Sequence, residues 1–227
     1  MWFHCSRSRT YGRKPLAVQH LASLALIALS VFPAARADDR PVQIVALGDS
    51  LTAGLGVPED AAFPAKLAAT LKAKGIAATV VNAGVSGDTT TGGLARLNWS
   101  VPPGTEAVIL ELGANDALRG IDPQLAKAAL EKILNKLQER HIPVLLAGML
   151  APHNLGNDYV ATFDAIYPAL ASTHAVVFYP FFLEGVAADP KLNQGDGLHP
   201  LHVATLTNPC VHGPVTESAV GFPRNAP

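Results

Sequence analysis

Apolar residues along this chain come in two rhythms. Largely apolar runs of strand length occur at Val42–Leu47, Ala78–Ala83, Ala107–Leu112, Pro143–Met149 and Ala175–Tyr179. Between them, apolar residues recur at helical spacing. Pro64–Lys74 predicts one helix. Asp122-Pro123 offers an N-cap followed by proline at the first helical position, and the helix behind it sets Leu125, Ala129, Ile133, Leu134 and Leu137 on one face. Val160, Phe163, Ile166, Tyr167 and Leu170 mark another helix, with Pro168 as a kink or an end. Trp99 and the aromatic run Phe178–Phe182 are expected in the core. Apolar strands alternating with helices predict an α/β fold, a mostly parallel sheet covered by helices on both faces. In such sheets ligands sit beyond the carboxyl ends of the strands, so the residues just after each apolar run are the ones to search for chemistry.

The amino-terminal segment has a different pattern. Arg7, Arg9, Arg13 and Lys14 precede an apolar run, Leu21–Phe32, and Ala35-Arg36-Ala37 follows it. A basic region, a short apolar region and a small-x-small site predict a signal peptide over residues 1–37, cut after Ala37, and a periplasmic or secreted product. The apolar run is shorter than the ~20 residues that span a bilayer, so no stable membrane insertion is expected after processing. The whole chain has 17 Lys+Arg against 18 Asp+Glu; the leader holds five of the basic residues and no acidic ones, which leaves 12 against 18, a net charge of −6. That balance argues against nucleic acid and anionic lipid as partners, because both need a basic face. Cys5 lies in the leader and Cys210 near the end, so the processed chain has no intramolecular disulfide. Cys210 with His199, His202 and His212 matches no zinc spacing, and no metal site is expected.

Polar clusters follow the apolar runs. Gly48-Asp49-Ser50-Leu51 comes after the first, Asn82-Ala83-Gly84 and then Ser86-Gly87-Asp88 come at the second, and Gly113-Ala114-Asn115-Asp116 comes after the third; Asp196-Gly197-Leu198-His199-Pro200 stands near the end. A serine hydroxyl attacks an acyl carbon only when a base takes its proton, and an imidazole held by a carboxylate does this at neutral pH. A tight turn between Asp196 and His199 could join carboxylate to imidazole and leave the second ring nitrogen for Ser50. The oxyanion formed on attack needs hydrogen-bond donors. The backbone amides of Ser50 and Gly84 and the side-chain amide of Asn115 are candidates. Gly84 has no side chain to keep substrate away, and Asn115 has two donors and no charge. Each residue also has a plainer use: Ser50 as a helix cap, Gly84 as a turn, Asp196 as a surface-turn residue. Asp49 and Asp116 read as structural, and His141, His153 and His174 as surface or helix-end residues. Gly-x-Ser-x-Gly, Walker and dinucleotide motifs are absent.

Taken in order, Ala46-Leu47-Gly48-Asp49-Ser50-Leu51, Asn82-Ala83-Gly84, Gly113-Ala114-Asn115-Asp116 and Asp196-Gly197-Leu198-His199-Pro200 resemble the SGNH, or GDSL, hydrolase family. Gly92-Gly93-Leu94-Ala95-Arg96-Leu97 and Phe163-Asp164-Ala165-Ile166-Tyr167-Pro168 resemble its periplasmic branch of thioesterases, lysophospholipases and arylesterases. The resemblance implies a flavodoxin-like three-layer α/β/α sandwich. It also implies hydrolysis of a small acyl ester or thioester without a metal or organic cofactor; a monomer is expected. Ser50, Asp196 and His199 would be the triad, with Ser50, Gly84 and Asn115 around the oxyanion. Medium-chain acyl esters, aryl esters, acyl-CoA and lysophospholipid are the substrates it suggests, with Ala117–Ile121 and Leu150–Gly156 as candidate acyl-pocket segments. The rivals are a carbohydrate O-acetylesterase and a non-catalytic lipid- or glycan-binding protein inactivated by its altered end.

The resemblance runs from about Val42 to Pro200 and stops there. Pro209, Pro214 and Pro223, with β-branched Val203, Thr205, Thr207 and Val211, leave no helical period where relatives carry a closing helix. Residues 38–200 are therefore expected to form the hydrolase domain, and 201–227 an atypical tail left by a frame change or recent replacement. Apolar surface without its helix costs ~25 cal/mol per Å² of lost burial. A chimera with a regular amphipathic helix in place of residues 201–227 is expected to melt at a higher temperature than the natural chain. Equal melting of the two would count against the idea.

Overall fold

Residues 40–201, the stretch described by this computed structural model, turn the five apolar runs into one sheet. The expected leader, Cys5, and the tail beyond Leu201 with His202, Cys210 and His212 lie outside the described residues. The strands are β1 (Val42–Gly48), β2 (Ala78–Gly84), β3 (Ala107–Glu111), β4 (Val144–Ala147) and β5 (Val177–Tyr179). They pair in the order β2-β1-β3-β4-β5, every pair parallel, as an α/β sandwich requires. β1 lies between β2 and β3, and from Ile44 onward it is buried. Among the described residues seven α-helices connect the strands: α1 (Ser50–Ala53), α2 (Phe63–Ala73), α3 (Thr90–Ser100), α4 (Ala114–Leu118), α5 (Pro123–Glu139), α6 (Asn157–Asp164) and α7 (Ile166–His174).

Parallel crossovers are right-handed, so the direction of travel across the sheet decides which face a helix covers. The chain leaves β1 for β2 on one side, then crosses back past β1 to β3 and continues to β5. Accordingly α2 packs on β2 and α1, whereas α3 packs on α5, and α5 on α7. The reversal opens a crevice at the carboxyl end of β1, between β2 and β3, where ligands of such sheets bind. Ser50 is two residues past that end.

The helices follow their local chemistry, with three departures from the sequence pattern. Asp122 caps α5 by accepting from Gln124 N at 2.9 Å, and Pro123 starts the helix. Its buried stripe is Ala126, Ala129, Leu130, Ile133, Leu134 and Leu137, while Leu125 is 60% exposed. Leu125 precedes Ala126 by one residue, about 100° round the helix, and so falls off the stripe. Trp99, expected in the core, is 71% exposed, because α3 turns Gly93, Arg96, Leu97 and Ser100 inward instead. Phe182 is in the core and meets Phe63 edge-on at 5.1 Å. The helix expected through Pro168 is two helices, α6 and α7, separated at Ala165. Proline lacks an N–H and crowds the carbonyl four residues back, here Asp164, which is where α6 ends. Thr90–Ser100 and the two short helices after β1 and β3 carry too few apolar residues to have been read as helices. Among the described residues no helix is long and apolar enough to cross a membrane.

Substitution can separate the stripe from its flank. Leu134→Ala is expected to lower the unfolding free energy by about 2–5 kcal/mol, as for buried leucines generally. Leu125→Ala should stay within about 0.5 kcal/mol. Urea denaturation of both variants checks this, and similar losses would contradict the burial pattern.

Candidate active site

Three strand ends and one late loop supply the candidate residues. β1 ends at Gly48, and the chain turns at once into α1. Asp49 is the N-cap, and its Oδ1 accepts from Leu51 N at 3.0 Å, so Ser50 opens the helix. The turn lies flat on the end of β2, because a Cβ on Gly84 would run into Ala53 N, Ala53 Cα and Asp49 O. Gly84 thus makes room for the Ser50 turn itself, beyond any approach of substrate.

The end of β3 carries the third group. Asn115, in α4, donates from Nδ2 to Asp49 Oδ2 at 3.0 Å. The nitrogen has two hydrogens, so one donor stays available. Tyr167 Oη donates to Leu112 O at 2.8 Å and steadies the approach to α4. Asp116 accepts from Thr90 N at 2.9 Å and Thr90 Oγ1 at 2.7 Å, tying α4 to the start of α3. The Gly84 N–H donates to Asn82 Oδ1 at 3.0 Å, so an oxyanion there has to share or displace that acceptor. Among the described residues the Ser50 N–H makes no hydrogen bond.

Asp196 and His199 come from a loop closed on itself. Asn193 and Pro200 form a bridge, Gln194 N donates to His199 O at 2.7 Å, and Leu201 N donates to Leu192 O at 2.7 Å. Buried Asn193 anchors the loop by donating to Val186 O (2.6 Å) and Asp189 O (2.8 Å). Gln194 Nε2 reaches across to Leu55 O at 2.7 Å, just past α1. Gly197, at φ 69°, supplies the left-handed residue of the turn. The result brings Asp196 Oδ2 to 2.6 Å from His199 Nδ1, and His199 Nε2 to 2.9 Å from Ser50 Oγ.

Three carboxyl groups near this line have different surroundings. Asp196 is held down to about 2 by the amide of Leu198, the imidazole and the amide of His199, in that order. Asp49, buried, is pushed up to about 6 by desolvation, against the pull of Leu51 N–H and Asn115. Glu111, also buried, is pushed well above the ordinary carboxyl range by desolvation and then by Asp49. Its Oε2 accepts from Thr52 Oγ1 at 2.7 Å and from Asp49 N at 3.4 Å, underneath the Ser50 turn. Sequence reasoning passed over Glu111, although a lone acid closing an apolar run was a visible signal. Asn193 and Gln194 left no such signal.

A proton can therefore pass from a hydroxyl to an imidazole whose other nitrogen faces a permanent carboxylate, at the switch point of a parallel sheet. Proteins built this way are serine hydrolases, and likeness to known proteins narrows the class. Residues 46–202 match the GDSL-like Lipase/Acylhydrolase family, and the chain belongs to that family. It is 41% identical over 182 residues to thioesterase 1/protease 1/lysophospholipase L1 of Escherichia coli (strain K12), covering 80% of this chain and 84% of that protein. It is 40% identical over 159 residues to an arylesterase of Vibrio mimicus, covering 70% and 80%. The crystal structure of AlinE4, an SGNH-hydrolase family esterase, superposes with a TM-score of 0.67 at 45% identity, over 82% of this chain and 98% of AlinE4.

Asp49 offers a pH test of the buried carboxyl. It ionises near 6 in the folded protein against an ordinary 3.8, so between those values the folded state keeps a proton that the unfolded chain has lost. Stability from this group is present below that window and declines as pH rises through it. The melting temperature of the wild type minus that of Asp49→Asn should fall between about pH 4 and about pH 6. Parallel melting curves would mean that Asp49 does not titrate there.

Proposed function

We propose that Ser50 is the nucleophile of a two-step hydrolysis of carboxylic esters or thioesters, with His199 as general base and acid and Asp196 as its orienting carboxylate. The observation that carries the reading is the 2.9 Å approach of His199 Nε2 to Ser50 Oγ, within reach for proton transfer. His199 takes the hydroxyl proton as Oγ bonds to the acyl carbon. The carbonyl electrons move onto oxygen, and that oxyanion is met by Ser50 N–H, Gly84 N–H and the free Nδ2 hydrogen of Asn115. Collapse breaks the bond to the alcohol or thiol, which leaves with the proton from His199. Water then attacks the acyl-enzyme by the same route and releases the acid. Asp196 stays ionised throughout, so the imidazolium formed at each step always has its counter-charge.

An apolar acyl or aryl group is the favoured substrate portion. Leu55, Val85, Leu118, Leu150 and Leu198 are all exposed, and each follows a strand end or adjoins a triad residue. Leu118 and Leu150 fall in the segments expected to line an acyl pocket. The names borne by the relatives, arylesterase and thioesterase/lysophospholipase, point the same way. All the groups invoked come from residues 50–199 of one chain, so a monomer suffices. The order of basic, apolar and small residues in 1–37 supports export and cleavage after Ala37.

Ser50→Ala is expected to lower turnover of a p-nitrophenyl ester by at least about 10³-fold. It should also abolish labelling by a fluorophosphonate, which peptide mapping should place on Ser50 in the wild type. Undiminished hydrolysis by the variant would refute the assignment, and activity confined to acetate esters would favour a carbohydrate acetylesterase.

A further inference from the structure

Asp49 is buried beside Ser50 and has no part in the proton path. Its two oxygens serve different elements. Oδ1 accepts from Leu51 N at 3.0 Å and so caps α1, the turn that carries Ser50. Oδ2 accepts from Asn115 Nδ2, in α4, also at 3.0 Å. Among the described residues this is the one hydrogen bond of the Asn115 side chain.

A cap alone does not require a carboxylate, because serine, threonine and asparagine cap helices as well. A cap that also holds an amide donor does, because it needs two accepting oxygens. Burial disfavours a charge unless it is hydrogen-bonded, and the Leu51 N–H and Asn115 both favour the ionised form of Asp49. The carboxyl ionises near 6, and above that value both oxygens only accept. Asn115 must therefore turn its nitrogen, and not its oxygen, towards Oδ2. The side-chain amide is planar, so binding one Nδ2 hydrogen sets the direction of the other. A bond to a charged acceptor is also about twice as strong as a neutral one.

We propose that Asp49 is a positioning residue of the hydrolytic site, whose carboxylate orients the Asn115 amide and sets it at a fixed distance from the turn that carries the Ser50 N–H. One rigid group, with an oxygen on each side, thereby places two donors relative to each other. The proposal rests on the reading of Ser50 as nucleophile and of Ser50 N–H and Asn115 Nδ2 as oxyanion donors.

The test is Asp49→Ser, which removes the contact with Asn115 and keeps a side-chain oxygen for the cap, with active sites counted by fluorophosphonate titration. Loss of one oxyanion donor costs about 10²–10³ in kcat, so its misalignment should lower kcat per titrated site by about 10–100-fold. KM should stay within about two-fold, as for an interaction made in the transition state. Inhibition by a boronic acid, a tetrahedral mimic, should weaken in proportion to kcat. The same substitution is then made in Asn115→Ala. The group through which Asp49 acts is absent there, so kcat per site should fall by less than about three-fold further. The Asp49 charge also acts on His199, but that effect is present in both backgrounds and cancels in the comparison. An aspartate with a merely structural role would lower kcat by the same factor in both backgrounds. That result overturns the proposal, as does wild-type kcat per site in folded Asp49→Ser. If Asp49→Ser does not fold, the wild type gives a second reading by NMR. One Nδ2 proton of Asn115 should lie downfield and exchange slowly with water; two fast-exchanging protons at free-amide positions would overturn the proposal. A wild type that is not labelled at Ser50, or Asn115→Ala with unchanged kcat, removes instead the reading beneath it, so the failures are distinct.

Discussion

A strand end and a helix start meet at Ser50 against a neighbouring strand that has no side chain at the point of contact. Gly84 carries no Cβ, so the backbone of Asp49 and Ala53 lies directly on it. Packing that close buries peptide groups away from water, and each then needs a partner. Asp49 takes the Leu51 amide, Asn82 takes the Gly84 amide, and Arg96 takes the carbonyls of Gly48 and Ala83. The polar residues under the turn are the consequence of one steric contact. They are also what holds Ser50 in place.

The same burial sorts the carboxyl groups by role. Asp49 and Glu111 sit under the turn, where desolvation favours their neutral forms. Asp196 sits at the mouth, where two amides and an imidazole favour the charged form. A permanent charge is thus kept beside the imidazole and away from the backbone that must stay in register. Surroundings alone thus push chemically identical groups towards opposite protonation states.

His199 reaches Ser50 from 149 residues away, through a loop whose shape is largely its own. The Asn193–Pro200 bridge and the Gln194–His199 bond close it, and Asn193 fastens it to the turns after β5. Gln194 then ties it to Leu55, next to the helix that carries Ser50. Among the described residues the imidazole is located by short-range hydrogen bonds within residues 186–201 and by the Gln194 strap across the crevice.

The order of apolar runs determined the parallel α/β sheet, since only strands buried on both faces read as Val42–Leu47 and Ala107–Leu112 do. The same order put Ser50, Gly84 and Asn115 at strand ends, and the glycine turn joined Asp196 to His199, because both are local properties of the chain. Tertiary structure decided what depends on orientation round a helix or across the sheet. It exposed Trp99 and Leu125, whose hydrophobicity says nothing about which way they face, and divided one expected helix at Ala165. It gave Arg96, Glu111, Asn193 and Gln194 their parts, because a buried polar side chain is defined by partners far away in sequence: Gly48 for Arg96, Thr52 for Glu111, Leu55 for Gln194. Periodicity reveals where a residue sits in its own element, and only the folded chain reveals what stands opposite it.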